Sequence, residues 1–205
     1  MSGVTSRLDA TSGRALLDIA ISEIRRALET GDRRVDSSIV EGDELPEELV
    51  EQGAAFVSLH QESRLIGCIG SIESRRPLAL DVADNALGAA FRDPRLPPLD
   101  PADFASMEVE VSVLAPLQRL NVGSYDELQA TVREGVDGLL VKAGRGRATL
   151  LPSVWEQSPS VAWFLDVLWR KAGFTRGSWP RGIEVFCYTT ESFIDSGPRQ
   201  GLDQP

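Results

Sequence analysis

The strongest constraint on this chain is an order of elements met twice: a hairpin, then a helix, then a strand. In the first occurrence Ala54 to Leu59 reads as a strand, Gln61 to Arg64 as a turn, and Leu65 to Ile72 as the partner strand. Pro77 suits the first turn of a helix that runs to about Phe91. Its Ala79, Ala83, Ala86 and Ala90 would let it lie close against a sheet. Met107 to Leu114 follows as a strand with Met107, Val109, Val111 and Val113 on one face. In the second occurrence Gly138 to Lys142 and Arg147 to Leu151 flank Ala143-Gly144-Arg145-Gly146, a hairpin turn. Ser158 and Pro159 open a helix whose Val161, Phe164, Leu165, Leu168 and Ala172 share a face, and Gly173 closes it. Ile183 to Tyr188 completes the set as a strand.

A helix near Tyr125 to Arg133 separates the two occurrences, and another from Arg14 to Thr30 precedes them. In the latter, Leu17, Ile21, Ile24 and Leu28 recur at helical spacing, Thr11 or Ser12 supplies the cap, and Gly31 supplies the stop. Asp32 to Glu51, with Gly42 and Pro46, predicts a surface connection with one short helical turn near Pro46. The expected fold is α+β, a mainly antiparallel sheet flanked by helices. Its 205 residues suit a single domain with a core from about residue 14 to 193. The doubled order suggests two subdomains, and duplication is an expectation about architecture, since no residue-level repeat accompanies it.

Charge and cysteine usage argue against several functions, although Arg75, Arg76, Arg145 and Arg147 fall in two small groups that leave a local basic site open. The 21 Lys and Arg against 31 Asp and Glu give a net charge of -10, which repels nucleic acid and anionic membranes at long range. No apolar run reaches the roughly 20 residues that span a bilayer. The polar stretch Met1 to Ala10 lacks a secretory pattern, so a cytoplasmic location is expected. Cys68 and Cys187 would stay reduced there. With the single His60 they cannot complete a tetrahedral zinc site, and they are too few for an iron–sulfur centre. No cofactor is expected.

Seven segments carry a family pattern in order. They are Gly53-Ala54-Ala55-Phe56-Val57, Leu65-Ile66-Gly67-Cys68-Ile69-Gly70, Asp93-Pro94-Arg95-Leu96-Pro97-Pro98-Leu99 and Glu110-Val111-Ser112-Val113-Leu114. Gly135-Val136-Asp137-Gly138-Leu139, Leu151-Pro152-Ser153-Val154-Trp155-Glu156-Gln157 and Lys171-Ala172-Gly173 follow. In these the chain resembles the AMMECR domain family over about Leu16 to Phe193. The resemblance implies partners, a Memo-like protein and a radical S-adenosylmethionine protein of the AmmeMemoRadiSam association, and a shared pathway rather than a reaction. The family usually has arginine where this chain has Ile66, and phenylalanine where it has Leu96. Isoleucine cannot replace the planar charged fork of arginine.

Several groups are candidates for chemistry or binding. Gly67, Cys68, Ile69 and Gly70 place a thiol between glycines, which mark close approach of a ligand or backbone. The alternative reading puts Cys68 in a tight space beneath a helix. If His60 pairs with Leu65, then Val57 pairs with Cys68 and alternation sets His60 and Cys68 on opposite faces. A one-residue register change brings them to one face without setting them directly opposite. His60 reads as a surface strand-end residue. Glu108, Glu110 and Ser112 share the polar face of their strand, and a covered Glu110 could transfer protons. Asp93 and Arg95 either form a local ion pair or place a guanidinium in a cleft. Trp155 and Glu156 suit a partner contact if exposed, and Trp155 suits a core if not. Gly144-Arg145-Gly146-Arg147 lacks the strand–loop–helix setting of a phosphate loop. The expected function is an accessory, binding role. The alternative is a small cysteine-dependent enzyme using a cleft around Cys68 with Glu110 or Arg95, although no catalytic constellation is complete.

Overall fold

A computed structural model describes residues 8–41 and 45–202. Gly42 of the charged connection and the stretch before Leu8 lie outside the described residues. The chain folds as two compact units, one ending at Leu114 and resuming at Glu191, the other Ala115–Thr190.

The first unit opens with α1 (Ala10–Thr30). Its cap is Asp9 rather than Thr11 or Ser12, and the Asp9 carboxylate accepts the Ser12 N–H at 2.7 Å. Gly31 ends the helix in the left-handed region at φ 74°, as glycine does without a Cβ penalty. The connection that follows contains a tight 3-10 turn (Ser37–Val40) and a single α-helical turn, α2 (Glu47–Val50). β1 (Gln52–Gly53) pairs with β4 (Arg76–Pro77) as a short antiparallel ladder. Between them lies the hairpin of β2 (Ala55–Gln61) and β3 (Arg64–Gly70). Glu62 and Ser63 turn it with φ of 49° and 65°, the left-handed pair that matches strand twist.

α3 (Leu78–Phe91) packs on β2 and β3, and α1 packs on α3 and on β5 (Glu108–Leu114). The small residues expected of α3 are buried, with Ala79, Ala83 and Ala86 at 0% exposure. Val57, Leu59, Val109 and Val111 meet Leu16, Ile24 and Val82 in one core. Each large aliphatic side chain buried there contributes about 1.5–3 kcal/mol.

The second unit contains β6 (Gln118–Arg119), α4 (Tyr125–Thr131), β7 (Gly138–Ala143), β8 (Gly146–Leu150), α5 (Val161–Lys171) and β9 (Glu184–Tyr188). Ser160, rather than Ser158, caps α5 by accepting the Trp163 N–H. Phe164, Leu165, Leu168 and Trp169 of α5 are buried with Leu139, Val141 and Val185 of the sheet. The last strand, β10 (Thr190–Asp195), is not expected from the sequence.

The first sheet has the order β10-β5-β2-β3 and the second β6-β9-β7-β8. In both, the first hairpin strand lies between its partner and the strand that follows the helix.

Candidate functional site

One side of the first sheet faces α1 and α3, so period-two alternation assigns every second residue to the other side. There β2 presents Phe56, Ser58 and His60, β3 presents Cys68 and Gly70, and β5 presents Glu108, Glu110 and Ser112. The register sets Cys68 opposite Ser58 and Ser58 opposite Glu110, so the three form one row across three strands.

This register corrects the expected pairing of Cys68 with Val57. His60 does pair with Leu65, but the next pair is Leu59 with Gly67, which leaves Ile66 as an extra residue in β3. Such a bulge shifts alternation by one, and it brings His60 and Cys68 onto the same face. Ile66 packs against the first core. The His60 side chain is 24% exposed, less than a surface strand-end residue, with Nδ1 4.0 Å from Glu108 Oε1.

The glycines have separate causes. A Cβ on Gly67 would stand 2.1 Å from the Ala89 carbonyl oxygen of α3, so Gly67 is the residue beneath the helix. Cys68 points the other way and is partly exposed, which corrects its placement in the tight space. A Cβ on Gly70 would meet the Phe56 ring at 2.2 Å.

Cys68 is fixed through its backbone. β3 is an edge strand of its sheet, and Asp93 and Arg95, in the loop after α3, cover that edge. Asp93 Oδ2 accepts the Cys68 N–H at 3.0 Å, and Arg95 Nη2 donates to the Cys68 carbonyl at 2.8 Å. Arg95 also donates through Nε and Nη2 to the two Asp93 oxygens at 2.9 and 2.7 Å. These charge-assisted bonds hold the buried Asp93 carboxyl well below the usual carboxylate range, against the opposing effect of burial. The same pairing raises the Arg95 guanidinium. Arg95 is thus the partner of Asp93 in a structural clamp, the first of its two expected roles.

The side chains of the row are linked by hydroxyls. Ser58 Oγ donates to Cys68 Sγ at 3.3 Å. Ser112 Oγ donates to Glu110 Oε1 at 3.0 Å and lies 2.8 Å from Ser192 Oγ of β10, so Ser192 donates to Ser112. Sequence reasoning misses Ser58 and Ser192, although the alternation Phe56, Ser58, His60 signals the polar face of β2. Arg95 bonds the carbonyl of Cys68, and its guanidinium also interacts with the Cys68 side chain.

Trp155 and Glu156 belong to the second unit. Trp155 is 7% exposed, donates Nε1–H to the Asp137 carbonyl at 2.8 Å and stacks on Phe164 at 3.8 Å. That corrects its placement as a partner-contacting residue, because its ring is core. Glu156 is exposed. Gly144 and Arg145 form the β7–β8 turn, and Lys171 donates to the Thr149 carbonyl at 3.0 Å. Among the described residues no group of three His, Cys, Asp or Glu side chains could hold a metal ion, and no helix is long and apolar enough to cross a membrane.

A family model described as AMMECR1 matches residues 17–193. A protein of Methanosarcina acetivorans is 34% identical over 192 residues, covering 93% of this chain and 95% of its own. One from Methanothermobacter thermautotrophicus is 37% identical over 147 residues, 72% and 74% of the two chains. The crystal structure of the uncharacterised protein PH0010 from Pyrococcus horikoshii matches with a TM-score of 0.85 at 29% identity, over 96% of this chain and 97% of that one.

Proposed function

The chain belongs to the AMMECR1 family, and from that membership we propose that it is an accessory, binding component acting with a Memo-like protein and a radical S-adenosylmethionine protein. Its docking surface is the polar face of the first sheet around Cys68, Ser58 and Glu110. One observation carries this reading: the clamp of Asp93 and Arg95 holds both backbone polar groups of Cys68. It fixes the backbone of the residue and so the direction in which its side chain is presented. A preorganised, weakly charged row of thiol, hydroxyl and carboxylate suits recognition, which gains from groups held in place before binding.

The test is a native pull-down of tagged chain from its source cells, with Cys68→Ala alongside and bound proteins identified by mass spectrometry. Recovery of both named partners, reduced by the substitution, is the expected result. Recovery of neither overturns the reading. A cysteine-dependent reaction is the second reading, favoured by the Ser58 hydroxyl on the thiol. It requires Cys68 to be alkylated at neutral pH much faster than a free thiol. The accessory reading predicts a rate no faster than that of the unfolded chain.

A further inference from the structure

In the second unit α5 has a second stripe beside its buried one. Trp163, Asp166, Val167 and Arg170 stand at i, i+3, i+4 and i+7, which places them in one row along the helix. They line one wall of a groove of about 600 Å³, and Phe174 and Arg176 line the other. That volume is within the range of binding sites, roughly 300–1,000 Å³.

The chemistry of the walls is specific. Trp163 is 38% exposed, unusual for an indole in a helix whose other tryptophan, Trp169, is fully buried. Arg170 is exposed, and the Arg176 side chain is 80% exposed. Asp166 is held by the Tyr125 hydroxyl at 2.9 Å and by Arg176 at 2.8 Å, which fixes the Arg176 guanidinium at the groove. Exposed Trp and Arg are the side chains that dominate binding energy at protein interfaces.

Charge distribution selects the occupant. Residues 115–190 contain nine Lys and Arg against seven Asp and Glu, a net +2. The rest of the chain has twelve against twenty-four, a net −12. An acidic ligand is therefore repelled by one unit and tolerated by the other. A nucleic acid would bring a long run of phosphates to a chain of net charge -10 and to a groove that contains the Asp166 carboxylate. A short peptide brings few charges and an apolar group for the indole.

We infer that the α5 groove docks an acidic peptide segment of a protein partner, with an apolar side chain against Trp163 and carboxylates on Arg170 and Arg176. The groove belongs to the second unit and the row around Cys68 to the first, so either assignment can fail alone.

The experiment is a fluorescence-anisotropy titration of the full chain with a fluorescein-labelled peptide, Gly-Ser-Glu-Leu-Phe-Glu-Ser-Gly. A single-stranded oligothymidylate of equal length is titrated in parallel, and the chain alone is run in sedimentation velocity. Trp163→Ala and Arg170→Glu lie on the exposed side of α5, and far-UV circular dichroism confirms their folding. The expected result is peptide binding that each substitution weakens about tenfold, that salt weakens further, and that Cys68→Ala leaves unchanged. Three outcomes overturn the inference. One is no peptide binding, or binding indifferent to both substitutions. Another is tighter binding of the oligonucleotide, which would make the groove a phosphate surface. The third is self-association that Trp163→Ala abolishes, which would make a second copy the occupant.

Discussion

Gly67 and Gly70 flank the same cysteine and answer to different neighbours. The atom beneath Gly67 is a backbone oxygen of α3, which cannot move without shifting the helix. Gly67→Ala is expected to cost about 3 kcal/mol, the upper range for overpacking a core. The obstacle at Gly70 is the Phe56 ring, a side chain that can turn, so Gly70→Ala should cost about 1 kcal/mol. Urea unfolding of both variants measures the difference.

Asp93 and Asp81 make opposite demands on pH. Arg95 depresses the Asp93 carboxyl below its ordinary 3.8, so its contribution is present above that pH and is lost as pH falls through the folded value. Burial raises the Asp81 carboxyl, although Ser71 and Ala55 donate hydrogen bonds to it. The folded chain therefore binds that proton more readily than the unfolded chain, and the stability it confers is lost as pH rises through the folded value. In urea midpoints measured from about pH 7 down to pH 2, Asp93→Asn should flatten the acid decline. Asp81→Asn should steepen it.

At the scale of elements, capping offers a clean test. Ser160 accepts the Trp163 N–H at 3.2 Å at the start of α5, so Ser160→Ala should cost about 1 kcal/mol. A loss of that size in thermal or urea unfolding, with the spectrum of the native state unchanged, is the expected outcome.

Both hairpins, α1, α3, α5, β5 and β9 are legible in the sequence because long apolar periodicities and glycine stops specify them. β10 is not. Of Thr190 to Asp195 only Phe193 and Ile194 are apolar, so no alternation stands out, and the strand forms because its hydroxyl and backbone groups find β5. The bulge at Ile66 is also out of reach, since Leu65-Ile66-Gly67 fits an unbroken strand equally well. Only the contact of Gly67 with α3 and the burial of Ile66 decide it. That one residue determines which face Cys68 shares, and so the membership of the candidate site. Gly67, Cys68, Asp93 and Arg95 stand out in the sequence, but their roles as spacer, presented thiol and edge clamp depend on three-dimensional register. Trp155 cannot be distinguished from an exposed anchor without Phe164 beneath it.

At the scale of the whole chain, the four tryptophans, Trp155, Trp163, Trp169 and Trp179, all lie in Ala115–Thr190, while the long helix α1 lies in the other unit. Tryptophan emission therefore reports one unit, and far-UV circular dichroism is weighted toward the other. Each unit has its own apolar core, so the two signals should give different urea midpoints. Coincident midpoints would mean one cooperative transition. The uneven charge, with an acidic first unit and a slightly basic second, also separates the two surfaces assigned here, since salt should act more strongly at the α5 groove.

The most direct test of the central claim is a titration of the purified chain with the purified Memo-like and radical S-adenosylmethionine proteins of the same cells, singly and together. Wild type, Cys68→Ala, Glu110→Gln and Trp163→Ala are compared by calorimetry. The account predicts binding that Cys68→Ala and Glu110→Gln weaken at least about tenfold, a loss of roughly 1.4 kcal/mol, and that Trp163→Ala leaves in place. Absence of binding to either protein, or binding indifferent to both substitutions on the first sheet, would contradict it.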